Sequence, residues 1–144
     1  MESNAIFSTE INVQVSHLNY GNHLGYDSLL SLLQEARLRW LKTINPSSSE
    51  IDIENNVGWM VKEVHLVYKS GANHGDELKI NLSVSNQTKI GFILEHEVEN
   101  KTSGKILCYG TILLVCFDFN KGKPSRIPGI LRAVITKEVT ENVK

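Results

Sequence analysis

Long hydrophobic runs are missing from this chain of 144 residues. No apolar stretch approaches the roughly 20 residues of a helical membrane span, so no span is expected. Charge of one sign is missing too: 15 Lys and Arg stand against 16 Asp and Glu, a net charge of −1. Nucleic acid and anionic membrane both call for a basic field, and none is present. Cysteine is scarce. Cys108 and Cys116 stand eight residues apart in what reads as one strand. At about 3.3 Å per residue they lie about 26 Å apart, whereas a disulfide needs Cα atoms within about 7 Å. Two reduced core thiols in a cytoplasmic protein are therefore expected. The first nine residues lack a signal-peptide pattern. No Gly-x-Ser-x-Gly elbow occurs and neither cysteine lies in a polar loop, which argues against a covalent serine or cysteine enzyme. His65, His74 and His96 show no metal-ligand spacing. There is no internal repeat and no low-complexity segment.

What is present has the size of one domain, taken as residues 1–144. Such a domain buries roughly 68–70% of its unfolded surface and needs no staples. Residues 7–15 alternate, with Phe7, Thr9, Ile11, Val13 and Val15 on one side, as in a half-buried strand. Residues 43–57, with Pro46 and three serines, read as a long connection. Strands are expected at 58–69, 77–85, 89–99 and 106–119, separated by turns at 70–76, 86–88 and 100–104. The last strand is apolar on both faces, which suits a central position. A short closing segment follows at 126–131, and residues 136–144 read as a polar tail.

Between the first strand and the long connection lies Asn19-Tyr20-Gly21-Asn22-His23-Leu24-Gly25-Tyr26-Asp27, running straight into an apolar stretch. Positions 26, 29, 30, 33, 36 and 40 are apolar at helical spacing. Leu32, Leu38 and Leu41 widen the stripe, so a helix from about 25 to 42, enclosed by its own sheet, is expected. Asp27 in the first turn and Arg37, Arg39 and Lys42 in the last suit the helix dipole. Glu35 and Arg39 form an i,i+4 pair of the favourable order, contributing about 0.3 kcal/mol. The loop gathers His, Asn and Asp side chains and free N–H groups at one helix N-terminus. One helix and one antiparallel sheet must bury each other, which gives an α+β class with the sheet curved around the helix.

Asn22-His23-Leu24-Gly25-Tyr26, followed at fixed distance by Glu35-Ala36-Arg37, resembles the hotdog-fold thioesterases of the 4-hydroxybenzoyl-CoA thioesterase type. Their pattern is Asp-x-x-Gly-His-Val-Asn-Asn, then a helix carrying Glu-Ala-Arg. Two further pieces match in order: Tyr68-Lys69 with Gly75-Asp76-Glu77-Leu78, and Asp118 with Gly122-Lys123-Pro124 and Ile127-Pro128. The resemblance covers about residues 7–131. It implies a hotdog domain that hydrolyses an acyl-CoA or similar acyl thioester without a cofactor or metal. It also implies a homodimer or homotetramer, with sites between two subunits whose sheets join edge to edge. The strand at 77–85, with no edge-blocking device, is a candidate for that edge.

The chain departs from the family pattern at one position. Asn19 stands where those enzymes carry the loop Asp, and an amide cannot ionise. His17 stands two residues earlier, where many relatives carry another Asp. The nearest carboxylate is Asp27, in the first helical turn, where related enzymes place an acid on the helix instead. Asp27, His23 and Asn19 are therefore the candidate catalytic residues, and Asn22, Gly25, Tyr26 and Tyr68 the candidate substrate contacts. N–H groups around Gly25 and Tyr26 suit a developing oxyanion, and Gly25 allows close approach. Asp27 as a simple helix cap, and Asn19 and Asn22 as loop-bonding amides, are the alternatives for single residues. For the whole chain, the alternatives are an acyl-thioester hydratase or dehydratase using His17 or His23, and a non-catalytic acyl-binding module.

Overall fold

The computed structural model describes residues 5–44, 51–52, 57–127 and 132, with backbone alone at 51–52. The order is β1 (Phe7–Asn12), a 3-10 turn (Val15–His17), α1 (Tyr26–Ile44), β2 (Ile51–Asp52), β3 (Val57–Tyr68), β4 (Glu77–Ser85), β5 (Gly91–Asn100), β6 (Lys105–Asp118) and β7 (Lys123–Pro124). The strands form one seven-stranded sheet in the order β1-β4-β5-β6-β3-β2, with β7 against β6. Every pairing is antiparallel. This is the α+β hotdog arrangement expected from the sequence: a single antiparallel sheet curved around one long helix.

The period-2 pattern explains which face the sheet buries. Leu78, Ile80, Leu82 and Val84 on β4, Phe92, Leu94 and Val98 on β5, and Cys108, Ile112, Leu114 and Cys116 on β6 are all buried. They pack with Leu29, Leu32, Leu33, Ala36, Trp40 and Leu41 of α1 in one core. Each fully buried aliphatic side chain contributes roughly 1.5–3 kcal/mol. Phe92 anchors the middle, with the rings of Trp40 and Trp59 edge-on at 6.1 and 5.1 Å. Arg39 fastens the helix to the first strand. Its Nε donates to Glu35 Oε2 at 2.8 Å, and its Nη1 donates to Thr9 Oγ1 at 2.8 Å and to the Glu10 carbonyl at 3.1 Å.

Four features differ from the sequence reading. The helix is covered on one side only: Tyr26 is 71% and Leu30 40% exposed, because a single curved layer leaves the far side of α1 open. The first strand stops at Asn12 rather than running to Val15. The Val13 N–H donates to the Asp76 carbonyl, the Gly75 N–H donates to the Val13 carbonyl, and the Gln14 N–H donates to His17 Nδ1 at 2.9 Å. The chain curls into the 3-10 turn, and Val15 ends up outside the core. The strand at 77–85 is interior, with β1 on one side and β5 on the other, so it is no edge. The edges among the described residues are β1, paired with β4 alone, and the long β3, which beyond its short pairing with β2 has β6 on one side only.

A bulge between Val61 and Glu63 shifts the register of β3 by one, which brings Val64, Leu66 and Tyr68 onto the helix side together with Trp59 and Val61. Part of the long connection is a two-residue strand, Ile51–Asp52, against Gly58 and Val57. Residues 45–50 and 53–56 of that connection, the closing segment beyond Ile127 and the polar tail lie outside the described residues, apart from Arg132. No helix among the described residues is long and apolar enough to cross a membrane.

Candidate active site

The loop ahead of α1 is closed at its base by an antiparallel bridge between Leu18 and Leu24. Inside it, Asn19 organises the backbone. Its Oδ1 accepts the N–H groups of Gly21 at 2.9 Å and His23 at 3.2 Å. Its own N–H donates to the His23 carbonyl at 2.7 Å, and its carbonyl accepts the Asn22 N–H at 3.1 Å. The turn requires a left-handed residue at position 22, and Asn22 adopts φ 64°, a conformation asparagine tolerates better than most side chains. The loop-bonding reading of Asn19 thus describes its oxygen, which leaves Nδ2 as the group to offer a ligand.

Asp27 returns over this loop. A Cβ built on Gly25 would lie 2.7 Å from Asp27 Oδ1 and 3.4 Å from Asn19 Cβ. Glycine at 25 is what lets the carboxylate sit against the loop, beside Asn19. A Cβ on Gly21 would similarly lie 3.5 Å from Asn19 Oδ1 and 3.9 Å from His23 Cδ2. Asn19, Gly25 and Asp27 therefore meet at the start of α1, with His23 on the Gly21 side of Asn19. Asp27 Oδ1 also accepts the N–H of the next residue, Ser28, at 2.9 Å, within the first turn of α1.

The backbone donors divide differently from the sequence expectation. The Gly25 N–H is spent on the His17 carbonyl at 3.0 Å, and the Leu24 N–H on the Ala72 carbonyl at 2.9 Å. Intrahelical bonding begins with the Leu29 N–H on the Gly25 carbonyl. The N–H groups of Tyr26 and Asp27 have no acceptor among the described residues, and these two are the donors available to an oxyanion. The rings of Tyr26, at the start of α1, and Tyr68, at the end of β3, meet with centroids 4.9 Å apart and tilted by 51°. Burial first, then Cys108 and Tyr26, raises the Tyr68 pKa, so its hydroxyl stays neutral. Asn22 contributes its backbone turn, with an exposed side chain.

Sequence reasoning missed a second loop. Residues between β3 and β4 dock on the first: His23 Nδ1 lies 3.0 Å from Asn73 Oδ1. The Asn73 N–H donates to Asp76 Oδ2 at 2.9 Å, and Asn100 Nδ2 donates to the same oxygen at 2.9 Å. These two bonds hold the Asp76 carboxyl below its ordinary pKa, the Asn73 N–H foremost. The Gly-Asp pair that marked the turn was the available signal for Asp76; nothing local pointed to Asn73 or Asn100. Among the described residues, no group of three or more His, Cys, Asp or Glu is arranged to hold a metal.

A one-layer sheet around a long helix, with a polar, carboxylate-bearing cluster at the helix start, defines a hotdog domain. A sequence profile of the thioesterase-like superfamily matches residues 13–139, and the chain belongs to that family. The chain is 25% identical over 131 residues to the long-chain acyl-CoA thioesterase FadM of Escherichia coli strain K12, covering 91% of this chain and 98% of that one. It is 24% identical over 127 residues to the acyl-CoA thioesterase YbgC of Haemophilus influenzae, covering 88% and 92%. Its fold is that of the 1,4-dihydroxy-2-naphthoyl-CoA thioesterase Slr0204 from Synechocystis, with a TM-score of 0.82 at 19% identity over 90% of this chain and 95% of that one. The protein SAV2348 from Staphylococcus aureus, solved in complex with CoA, superposes with a TM-score of 0.81 at 12% identity over 93% and 84%.

Proposed function

We propose that this protein hydrolyses acyl-CoA thioesters to free acid and CoA thiol, with Asp27 as the reacting carboxylate and no cofactor. The observation that carries this reading is the Asp27 carboxylate lying over Gly25, beside Asn19 and at the two acceptor-free N–H groups of Tyr26 and Asp27. Membership of the thioesterase-like superfamily and likeness to two acyl-CoA thioesterases support it. Water adds to the thioester carbonyl and gives its proton to Asp27. The carbonyl oxygen takes up negative charge against the Tyr26 and Asp27 N–H groups. Collapse breaks the C–S bond, and the sulfur leaves as CoA thiol, taking that proton. His23 and Asn19 Nδ2 orient the water or the thioester, and the Tyr26–Tyr68 pair lines the entry.

The working unit of this proposal is a two-fold dimer joined at β3. Its free edge is long, and Met60, Val61, Val64, Val67 and Tyr68 along it are between 40% and 46% exposed. An apolar open strand edge is a template for a second copy. Tyr68 ends that strand, so the joined copy would wall a site that is open in the single chain. Two buried free thiols suit a reducing cytoplasm.

A free-thiol assay on a panel of acyl-CoAs tests the reaction, because hydrolysis releases CoA thiol whereas a hydratase or an acyl-binding module does not. Release with at least one acyl-CoA is expected; binding or hydration without release would overturn the proposal. Light scattering tests the assembly. A dimer is expected, disrupted by Val64→Lys, and a stable active monomer would overturn the shared-site dimer.

A further inference from the structure

We propose that Asn73 is a positioning residue that locks His23 in the tautomer protonated on Nδ1, leaving Nε2 as a hydrogen-bond acceptor for the attacking water. The proposal rests on the hydrolytic reading of the 19–27 cluster for its purpose, and on hydrogen-bond geometry for its substance. The chain of contacts starts in the interior. Asn100 is fully buried, and its Oδ1 accepts the N–H groups of Thr102 at 3.1 Å and Ser103 at 3.3 Å. Those two donors fix the orientation of its amide. Its Nδ2 is thereby turned to Asp76 Oδ2 at 2.9 Å and to the Gly71 carbonyl at 3.4 Å. Asp76 Oδ2 also accepts the Asn73 N–H at 2.9 Å, and the Asp76 N–H returns to the Asn73 carbonyl at 3.1 Å. The main chain of Asn73 is held from both ends, independently of its side chain.

The same loop is seamed to the first one through the Leu24 N–H on the carbonyl of buried Ala72. Asn73 Oδ1 then meets His23 Nδ1 at 3.0 Å. Oδ1 as placed faces Nδ1 and offers only lone pairs, so in this arrangement Nδ1 carries the proton and Nε2 is bare in the neutral ring. A free histidine side chain prefers the opposite tautomer, so the preference is imposed by the partner. The protein contains its own contrast. His17 Nδ1 accepts the Gln14 N–H at 2.9 Å, which puts the His17 proton on Nε2. A His23 ring protonated on Nε2 would donate to the water instead of accepting from it, which is the wrong polarity for activating a nucleophile.

Nitrogen-15 spectra of the imidazole rings of the full chain, recorded where both histidines are neutral and assigned with His23→Gln, read the tautomers directly. The expected result is His23 protonated on Nδ1 and His17 on Nε2. In Asn73→Ala the His23 signals should move to the Nε2-protonated form while those of His17 stay, which also reports that the loop is folded. In the same variant kcat should fall about tenfold or more, since a wrong tautomer disables a catalytic imidazole, with KM changed less than about twofold. Asn73→Asp keeps an acceptor at the same place. It should retain the Nδ1-protonated form and shift the acid limb of the kcat/KM profile to higher pH. His23 protonated on Nε2 in the unaltered protein would overturn the proposal. So would an unchanged tautomer, or an unchanged kcat, in Asn73→Ala. If no acyl-CoA is hydrolysed but the tautomers are as stated, the hydrolytic reading fails and the positioning role falls with it, while the lock itself stands.

Discussion

His23 is exposed, sits in a loop, and has its Nδ1 3.0 Å from Asn73 Oδ1. His96 is 1% exposed, sits mid-strand on β5 between Leu82 and Gly110, and has no hydrogen-bond partner at either ring nitrogen among the described residues. Around His23, polar groups hold one another: Asn19, Asn73, Asp76 and Asn100 each make directed bonds, and Asp27 lies at acceptor-free helix donors. The His96 ring is buried in the core near the positive charge of buried Arg37 on α1, and it stays neutral. Burial, then the positive charge of Arg37, pushes its pKa down to about 4, against a smaller opposite pull from the Leu94 and Gly110 carbonyls. One end of the helix keeps its charges usable; the middle of the sheet suppresses them. Variants on the two sides should fail in different ways.

The largest effect belongs to the core side. Leu33 is fully buried, and Leu33→Ala should cost about 2–5 kcal/mol by urea unfolding. A loss below about 1 kcal/mol would mean that the helix–sheet core lies elsewhere.

Next comes the pH dependence of stability. The folded pKa of His96, about 4, lies below the unfolded value near 6.5, so the native state binds fewer protons. The stability this neutral ring retains is fully present above about pH 6.5 and is lost as pH falls toward 4, by about 3 kcal/mol. His96→Leu has no such group, and its unfolding free energy should fall less over that window by the same amount. Parallel curves for the two proteins would contradict a neutral, unpartnered His96.

The smallest effect is a rate. Cys108 and Cys116 are at most 1% exposed, and burial pushes both thiols up in pKa. A thiol reagent should label them only as the sheet opens. Prompt labelling in native buffer would show β6 to be less covered than described.

Much of the fold was legible because it is written in local periods. Alternation marked β4 and β5, a run apolar on both faces marked β6, and the 3.6-residue stripe marked α1 within two residues of its ends. Pairing order was not legible. The alternation of β4 looks the same whether it is an edge or an interior strand, and only β1, which pairs Phe7 with Leu82 and Asn12 with Glu77, decides it. The end of β1 was hidden for a related reason: Val13 and Val15 continue the alternation, but the bonds that turn the chain come from Gly75 and Asp76. At the site, the cluster on one loop was readable as a contiguous stretch. Asn73 and Asn100 were not, because each looks like an ordinary turn residue until the sheet brings the two turns together. The loss of the Gly25 N–H to His17 is likewise a tertiary fact.

The central claim is that Asp27 reacts rather than merely caps. Its Oδ1 accepts the Ser28 N–H within the first helical turn, and an asparagine oxygen can accept the same bond. Asp27→Asn therefore keeps that bond and the size and removes only the charge. The account predicts that kcat for acyl-CoA hydrolysis falls by about 10² or more in this variant while its unfolding free energy and dimer are retained. Near-normal turnover in folded Asp27→Asn would contradict it.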